Sequence, residues 1–407
     1  MPTASAFGKP HSLHSSSSSS PAELQQYGTL YGDLGASLCC RAKQASICSC
    51  FSFHPHTFAA RVFYKPNSFL SDIGAHKHRP PTRPALAQQK TMKILITGAG
   101  GFVGQLLAEH LLNEGHTLVL ADIFEPPVPS RAQNKDKATC MRADLSEDSK
   151  SVLSKDLDAI YVFHGIMSAG SEENMDLGYK VNLQSTLSLL EAIKHTCPGV
   201  RLIYASSCAI YGQPLPHMPS EATVPTPEGS YGTQKVMIEY AINDYTRRGL
   251  LNGFIFRFPT ISVRPGKPTA AASSWMSGII REPLQGLQST LPCEDDFESW
   301  LCSPKTLVKN LIISLSLPKD CMEPHIRQVN LPGITATVKE MLQALREVGG
   351  EEAVKLIKRE KASKEVMQLL ESWGVRYDVS RALKLGFVAD KSFKEAVEDF
   401  AASLKEQ

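Results

Sequence analysis

The stretch Lys93-Ile-Leu-Ile-Thr97-Gly98-Ala99-Gly100-Gly101-Phe102-Val103-Gly104 decides how the rest of this 407-residue chain is read. Its first five residues are an apolar run of the kind that forms a buried parallel strand. Glycines at the spacing that follows permit a tight turn, close backbone approach to a pyrophosphate, and close packing of the next helix on the strand. That helix is expected to continue as Gln105-Leu-Leu-Ala-Glu-His-Leu-Leu-Asn-Glu114 and to stop at Gly115. A second strand, Thr117-Leu-Val-Leu-Ala121, ends at Asp122. A glycine triplet alone is a weak signal, but strand before, helix after and acid at the second strand's tip together specify a dinucleotide site. Asp122 would accept hydrogen bonds from an adenosine ribose and repel a 2'-phosphate. Ile123 and Phe124 after it offer no cation, which favours NAD over NADP.

Strand-like and helix-like runs alternate beyond this unit, as in a doubly wound α/β sheet. Thr139-Cys-Met-Arg-Ala143 leads to Asp144-Leu145, and Ala159-Ile-Tyr-Val-Phe163 leads to His164-Gly-Ile-Met167. Asp144 is a candidate for the adenine amino group or, equally, a cap for the next helix. A helix around residues 177–195 contains Asn182, and Arg201-Leu-Ile-Tyr-Ala205 delivers Ser206 and Ser207 at a strand's carboxyl end. Tyr231-Gly-Thr-Gln-Lys235 then sets a phenol and an ammonium one helical turn apart, where the cation favours phenolate. That spacing arises by chance about once in a chain of this length, so it gains meaning only from the cofactor site and the paired serines. After the strand Gly253-Phe-Ile-Phe-Arg-Phe258, Pro259-Thr260 precede a polar segment in which Arg264, Lys267, Ser273, Ser274 and Arg281 suit a carboxylate or phosphate.

Composition bounds the alternatives. Hydrophobic residues make up 42% and charged residues 21%, an ordinary globular balance, with a formal net charge of +2. Residues 1–90 hold nine Lys/Arg against Glu23, Asp33 and Asp72, leaving 34 basic and 38 acidic residues in the body. A mildly acidic body does not favour nucleic acid, and no apolar run reaches the ~18 residues of a membrane span. Residues 1–91, with a six-Ser run, scattered Pro and His and few acids, are expected to be a disordered extension. A transit segment to mitochondria is the lesser reading beside a cytoplasmic location, and Met92 would itself start a complete domain. The ten cysteines read as reduced thiols, and Cys39-Cys40 with Cys48 and Cys50 match no zinc pattern, so no metal site is expected. Residues 92–260 form the expected cofactor domain, with a helix and strand near 303–332 returning to it. Residues 261–407 are mainly a smaller substrate domain, with helices expected near 337–348, 352–373 and 391–405.

The combination Thr97-Gly-x-x-Gly101-x-x-Gly104, Ser206-Ser207, Tyr231-x-x-x-Lys235 and Arg257-x-Pro259 resembles an extended short-chain dehydrogenase/reductase. Residues 263–274, 277–284 and 231–235 are similar to one subgroup, the D-erythronate dehydrogenases. The resemblance spans residues 92–403. It implies a Rossmann-type doubly wound parallel sheet and hydride transfer with NAD bound by Gly98, Gly101, Phe102, Val103, Gly104, Asp122, Asp144, Leu145, Tyr231, Lys235 and Pro259. It assigns Tyr231 as base, Lys235 to the nicotinamide ribose and to the tyrosine's pKa, and Ser207 to the reacting oxygen, with Ser206 as rival. Ser207, Arg264, Ser274 and Arg281 would bind a sugar-acid substrate, and a homodimer would pack through the helix bearing Tyr231. His164-Gly-Ile-Met167 departs from the His-Leu-Ala-Ala of many members. Ile166 and Met167 are expected either to narrow the pocket or to form an apolar wall against the nicotinamide. The rival readings are a nucleotide-sugar epimerase or dehydratase, a tailoring reductase of a larger metabolite, and an NAD-sensing regulator without catalysis.

Overall fold

The computed structural model describes residues 90–267 and 271–405, so the extension expected over residues 1–91 lies outside the described residues but for Lys90 and Thr91. Six strands come first: β1 (Lys93–Thr97), β2 (Thr117–Asp122), β3 (Ala138–Arg142), β4 (Ala159–Val162), β5 (Arg201–Ser207) and β6 (Asn252–Phe258). They are followed by β7 (Thr260–Ile261), β8 (Ser289–Leu291), β9 (Glu298–Cys302), β10 (Gln328–Asn330), β11 (Ile334–Thr337) and β12 (Ile357–Arg359). The main helices are α1 (Phe102–Asn113), α2 (Ser168–Glu173), α3 (Met175–Gly178), α4 (Ser185–Thr196), α5 (Ser230–Arg247), α6 (Trp275–Arg281) and α7 (Pro304–Ile313). After these come α8 (Val338–Lys355), α9 (Lys364–Glu371), α10 (Ser380–Lys384) and α11 (Phe393–Lys405).

Seven strands form one parallel sheet in the order β10-β6-β5-β4-β1-β2-β3. The period of two along each strand sends alternate residues to opposite faces. Ile94, Ile96, Leu118, Leu120, Phe254 and Phe256 face α1 and α7, whose Leu107, Leu111, Leu307 and Leu311 are fully buried. Leu95, Val119, Ile160, Leu202 and Ile255 face α4 and α5 through Leu189, Leu190, Ile193, Ile238 and Ile242. The direction of winding reverses between β1 and β4, which opens a crevice at the carboxyl ends of the strands. This is the doubly wound sheet expected from the sequence.

A second core gathers Ile279 and Ile280 of α6, Leu301 of β9, Met341 and Leu345 of α8, and Val397 and Phe400 of α11. It carries the small sheet β11-β9-β7. The helix expected over residues 352–373 is interrupted. The α8 segment kinks at Gly350 (φ 80°) and ends at Lys355, β12 pairs in parallel with β8, and α9 follows. Two adjacent glycines break the turn pattern there, and Ile357 is used for strand pairing. Residues 177–195 are also less regular than expected, because Tyr179–Gln184 form a wide π-type turn before α4.

One buried polar network fastens these parts. Glu239 of α5 accepts from Arg257 of β6 through both oxygens, at 3.0 and 2.6 Å, and from the Ser206 hydroxyl of β5 at 2.5 Å. Arg257 also donates to the Tyr211 hydroxyl at 2.6 Å, which donates in turn to Asn330 Oδ1 of β10 at 2.9 Å. Glu239 and Arg257 side chains are each 2% exposed. Removing one partner would strand a charge in the interior, a loss of about 3–5 kcal/mol. Glu239→Ala is therefore expected to lower unfolding stability by that amount in a denaturant titration, far more than Glu347→Ala at an exposed pair.

Candidate active site

A cavity of about 430 Å³ runs from the glycine turn to the second core, lined by Gly98, Gly101, Phe102, Val103 and Gly104 at one end. Two positions of the turn have no room for a side chain. A Cβ at Gly104 would sit 2.6 Å from the Gly98 carbonyl oxygen, and one at Gly98, whose φ is 69°, would sit 2.5 Å from the His164 nitrogen. Asp122 at the tip of β2 accepts from the Gly100 N–H at 2.8 Å and from the Ile123 N–H at 2.7 Å, which holds its carboxylate against the turn. A cradle that excludes Cβ atoms, a helix N-terminus beyond it and a carboxylate at its rim fit a dinucleotide. Asp122, though held against the turn, is not part of the cavity lining, and neither are Asp144 and Leu145. Asp144 Oδ1 accepts from the Ser146 N–H and hydroxyl at 2.9 and 2.6 Å, which lowers its pKa, and Leu145 is packed into the core beneath α4.

In the middle of the cavity lie Ser207, Tyr231, Lys235 and Pro259. The strand register separates the two serines. Ser206 is 2% exposed and its hydroxyl is spent on Glu239, whereas the Ser207 hydroxyl accepts from the Ala209 N–H at 3.1 Å and lies against the Tyr231 phenol. The Lys235 ammonium donates to the Ala205 carbonyl at 2.8 Å and sits 4.7 and 5.5 Å from the ring centroids of Tyr204 and Tyr231. Burial brings Lys235 down to about 8, with Glu239 opposing the shift. Burial also pushes Tyr231 up to about 12, and the Ser207 hydroxyl pulls the other way. His164 is wedged between the Thr97 hydroxyl at 2.8 Å and the Ser185 hydroxyl at 3.0 Å, and burial followed by the charge of Lys235 lowers it to about 3, so it is neutral. Cys208 also lines the cavity, but burial pushes its thiol up to about 12, so it is no thiolate nucleophile.

The far end is built by residues distant in sequence: Arg264, Ser273, Met276, Phe297, Glu298, Trp300, Trp373 and Tyr377. Of the four residues expected to bind substrate, Ser207 and Arg264 line the cavity and Ser274 and Arg281 do not. The Arg281 guanidinium is buried against Glu282 at 2.6 Å and donates to the Arg264 carbonyl at 3.0 Å, so it braces the loop that carries Arg264. The Arg264 guanidinium has no hydrogen-bond or ion-pair partner among the described residues, and burial followed by repulsion from Arg281 lowers its pKa. Glu298 is paired with Arg376, at 2.7 Å for one of the two contacts. Met167 lines the cavity, while both backbone polar groups of Ile166 are held by Asn182. No sequence motif marked the aromatic wall of Phe297, Trp300, Trp373 and Tyr377, because its members meet only through the tertiary fold. Asn182 and Gln234 were visible only as helix residues.

The sequence model of the NAD dependent epimerase/dehydratase family matches residues 94–294. D-erythronate dehydrogenase from Haemophilus influenzae is 39% identical over 315 residues, 76% of this chain and 98% of the relative. The protein of the same name from Cupriavidus necator is 37% identical over 319 residues, 75% of this chain and 97% of the relative. Among solved structures, a nucleoside-diphosphate-sugar epimerase from Agrobacterium tumefaciens superposes with a TM-score of 0.71 at 36% identity, covering 79% of this chain and 96% of that one. With the glycine cradle, the carboxylate at its rim and the Ser-Tyr-Lys cluster in one crevice, these likenesses show that the chain belongs to the NAD dependent epimerase/dehydratase family, as an NAD-dependent dehydrogenase of the extended short-chain type.

Proposed function

We propose that the protein oxidises the C2 hydroxyl of D-erythronate to give 2-dehydro-D-erythronate, with NAD reduced to NADH and one proton released. The observation that carries this reading is Arg264, a half-buried cation without an anionic partner among the described residues, lining the same cavity as Tyr231 and Ser207. Burying such a charge unpaired is costly, and a carboxylate ligand offsets the cost through charge-assisted hydrogen bonds. The names of the two full-length relatives support a four-carbon sugar acid as that ligand.

In this mechanism Ser207 donates a hydrogen bond to the reacting oxygen, and Tyr231 as phenolate removes the hydroxyl proton. NAD, when bound by the glycine cradle, Asp122 and Lys235, supplies the hydride acceptor and a positive ring charge. Lys235 adds its own charge beside the Tyr231 ring and favours the phenolate over the phenol. Arg264 fixes the acid end of the substrate, and His164, held neutral, buttresses the end of β4 without competing for the proton. A homodimer is supported by Leu187 on α4 and Met237 and Tyr240 on α5, large apolar side chains left exposed on the two helices.

The full-length protein mixed with NAD and D-erythronate is expected to accumulate NADH. No turnover on any four-carbon sugar acid removes the substrate assignment, and regenerated NAD with a nucleotide-sugar points to an epimerase instead. Tyr231→Phe is expected to lower kcat by about 10²–10⁴-fold while NADH still binds. Because Tyr231 must lose a proton that burial holds up toward about 12, oxidation by the unaltered protein accelerates as pH rises from neutral; a flat profile contradicts the phenol as base. Arg264→Met, which loses charge-assisted bonds of about 1.5–3 kcal/mol, is expected to raise KM for the acid about 10- to 100-fold with little change in NADH affinity. Tyr240→Glu is expected to shift the sedimenting species from dimer to monomer, and an unaltered protein that sediments as a monomer rules the dimer out.

A further inference from the structure

Gln234 precedes Lys235 in α5, is fully buried, and has no part in the proton transfer. Its Oε1 accepts from Asn182 Nδ2 at 2.7 Å. Asn182 sits in the π-type turn and grips a single residue after β4: its Oδ1 accepts from the Ile166 N–H at 2.7 Å, and its Nδ2 donates to the Ile166 carbonyl at 3.0 Å. An amide can hold both backbone groups in only one of its two orientations. The acceptor on Gln234, with the Ser171 hydroxyl 3.1 Å from the same Nδ2 as a longer second, favours that orientation, because a flipped Asn182 would turn its oxygen toward Gln234 Oε1. The gripped residue is followed by Met167 and Ser168, which line the cavity, and preceded by Gly165. A Cβ at Gly165 would lie 2.8 Å from Asn182 Oδ1 and 3.9 Å from Lys235 Nζ, so this loop passes directly over the lysine. The Nε2 of Gln234 is buried without a hydrogen-bond partner, a cost a leucine or methionine there would avoid. The side chain is therefore of use through its oxygen.

We propose that Gln234 is a positioning residue: by fixing the amide of Asn182 it clamps the Gly165–Ser168 loop against Lys235 and so sets the width of the nicotinamide end of the cavity. This rests on the reading of Tyr231 and Lys235 as the catalytic pair, but the clamp itself is independent of which acid is oxidised. Gln234→Met removes the acceptor at similar volume, and Gln234→Glu keeps it. Hydrogen exchange of the peptide spanning Ile166, measured without cofactor, is expected to accelerate about tenfold in Gln234→Met and to stay near the unaltered rate in Gln234→Glu, with β1 and β5 unchanged in both. NADH titration by tryptophan fluorescence is expected to show several-fold weaker binding in Gln234→Met, restored in Gln234→Glu, and kcat with the preferred acid should follow the same order. Unchanged exchange and NADH affinity in Gln234→Met, or a Gln234→Glu protein no better than Gln234→Met, overturns the proposal. Should Gln234→Met not fold, Gln234→Ser is read in the same exchange experiment with the same expected loss. If exchange and NADH binding respond while no sugar acid turns over, the clamp stands and only the substrate reading fails.

Discussion

The geometry of the crevice depends on the buried pair Glu239–Arg257. Glu239 lies one helical turn beyond Lys235 on α5, and Arg257 lies on β6 beside the strand that ends in the two serines. Their bidentate contact, with Ser206 as a third member, sets the rotation of α5 about its own axis relative to β5 and β6. That rotation determines whether Tyr231 and Lys235 face the cavity or the helix layer. A hydrophobic contact tolerates sliding by a fraction of a turn; a fork of two charge-assisted hydrogen bonds does not. The pair also raises the field at Lys235, since the Glu239 carboxylate opposes the loss of its proton.

The titration behaviour of the cluster follows from enclosure. Burial disfavours the charged form of both groups, lifting Tyr231 to about 12 and lowering Lys235 to about 8. The two shifts drive the groups apart on the pH scale from nearly equal free values, and both favour the neutral phenol and amine in the protein alone. The proposed base is thus weakly poised in the protein alone, and its activation is left to the charge of the cofactor, which arrives with the oxidant itself.

Much of the fold was legible in the sequence. Strands buried on both faces leave continuous apolar runs such as Lys93-Ile-Leu-Ile-Thr97, and a turn that leaves no room for a Cβ at Gly98 and Gly104 marks those positions with glycine. Residues 352–373 were harder, because a three-residue strand with one apolar member cannot be told from a helix face without its partner β8. At the site, sequence gave residue types but not their partners. Asp144 and Ser146 are two residues apart and satisfy each other, and Arg281 is neutralised by its own neighbour Glu282, a pairing that helical periodicity does not suggest. The paired serines were resolved only by the pleat, which turns Ser206 toward Glu239 and leaves Ser207 facing the crevice. The aromatic wall draws on Phe297, Trp300, Trp373 and Tyr377, whose spacing along the chain carries no period at all.

The parallel sheet closes late. Its outermost strand on one side, β10, begins at Gln328, seventy residues past the end of β6 at Phe258, and the intervening chain builds half of the second core before returning. During synthesis β6 therefore emerges as a bare edge, rich in phenylalanine, that must wait for residues 328–330 and for the buried Arg327 guanidinium, which donates to the Gly253 carbonyl at 2.7 Å. An unpaired apolar edge is an invitation to pair with another chain. The order of elements thus leaves this edge of the sheet open until the chain through Asn330 has been made.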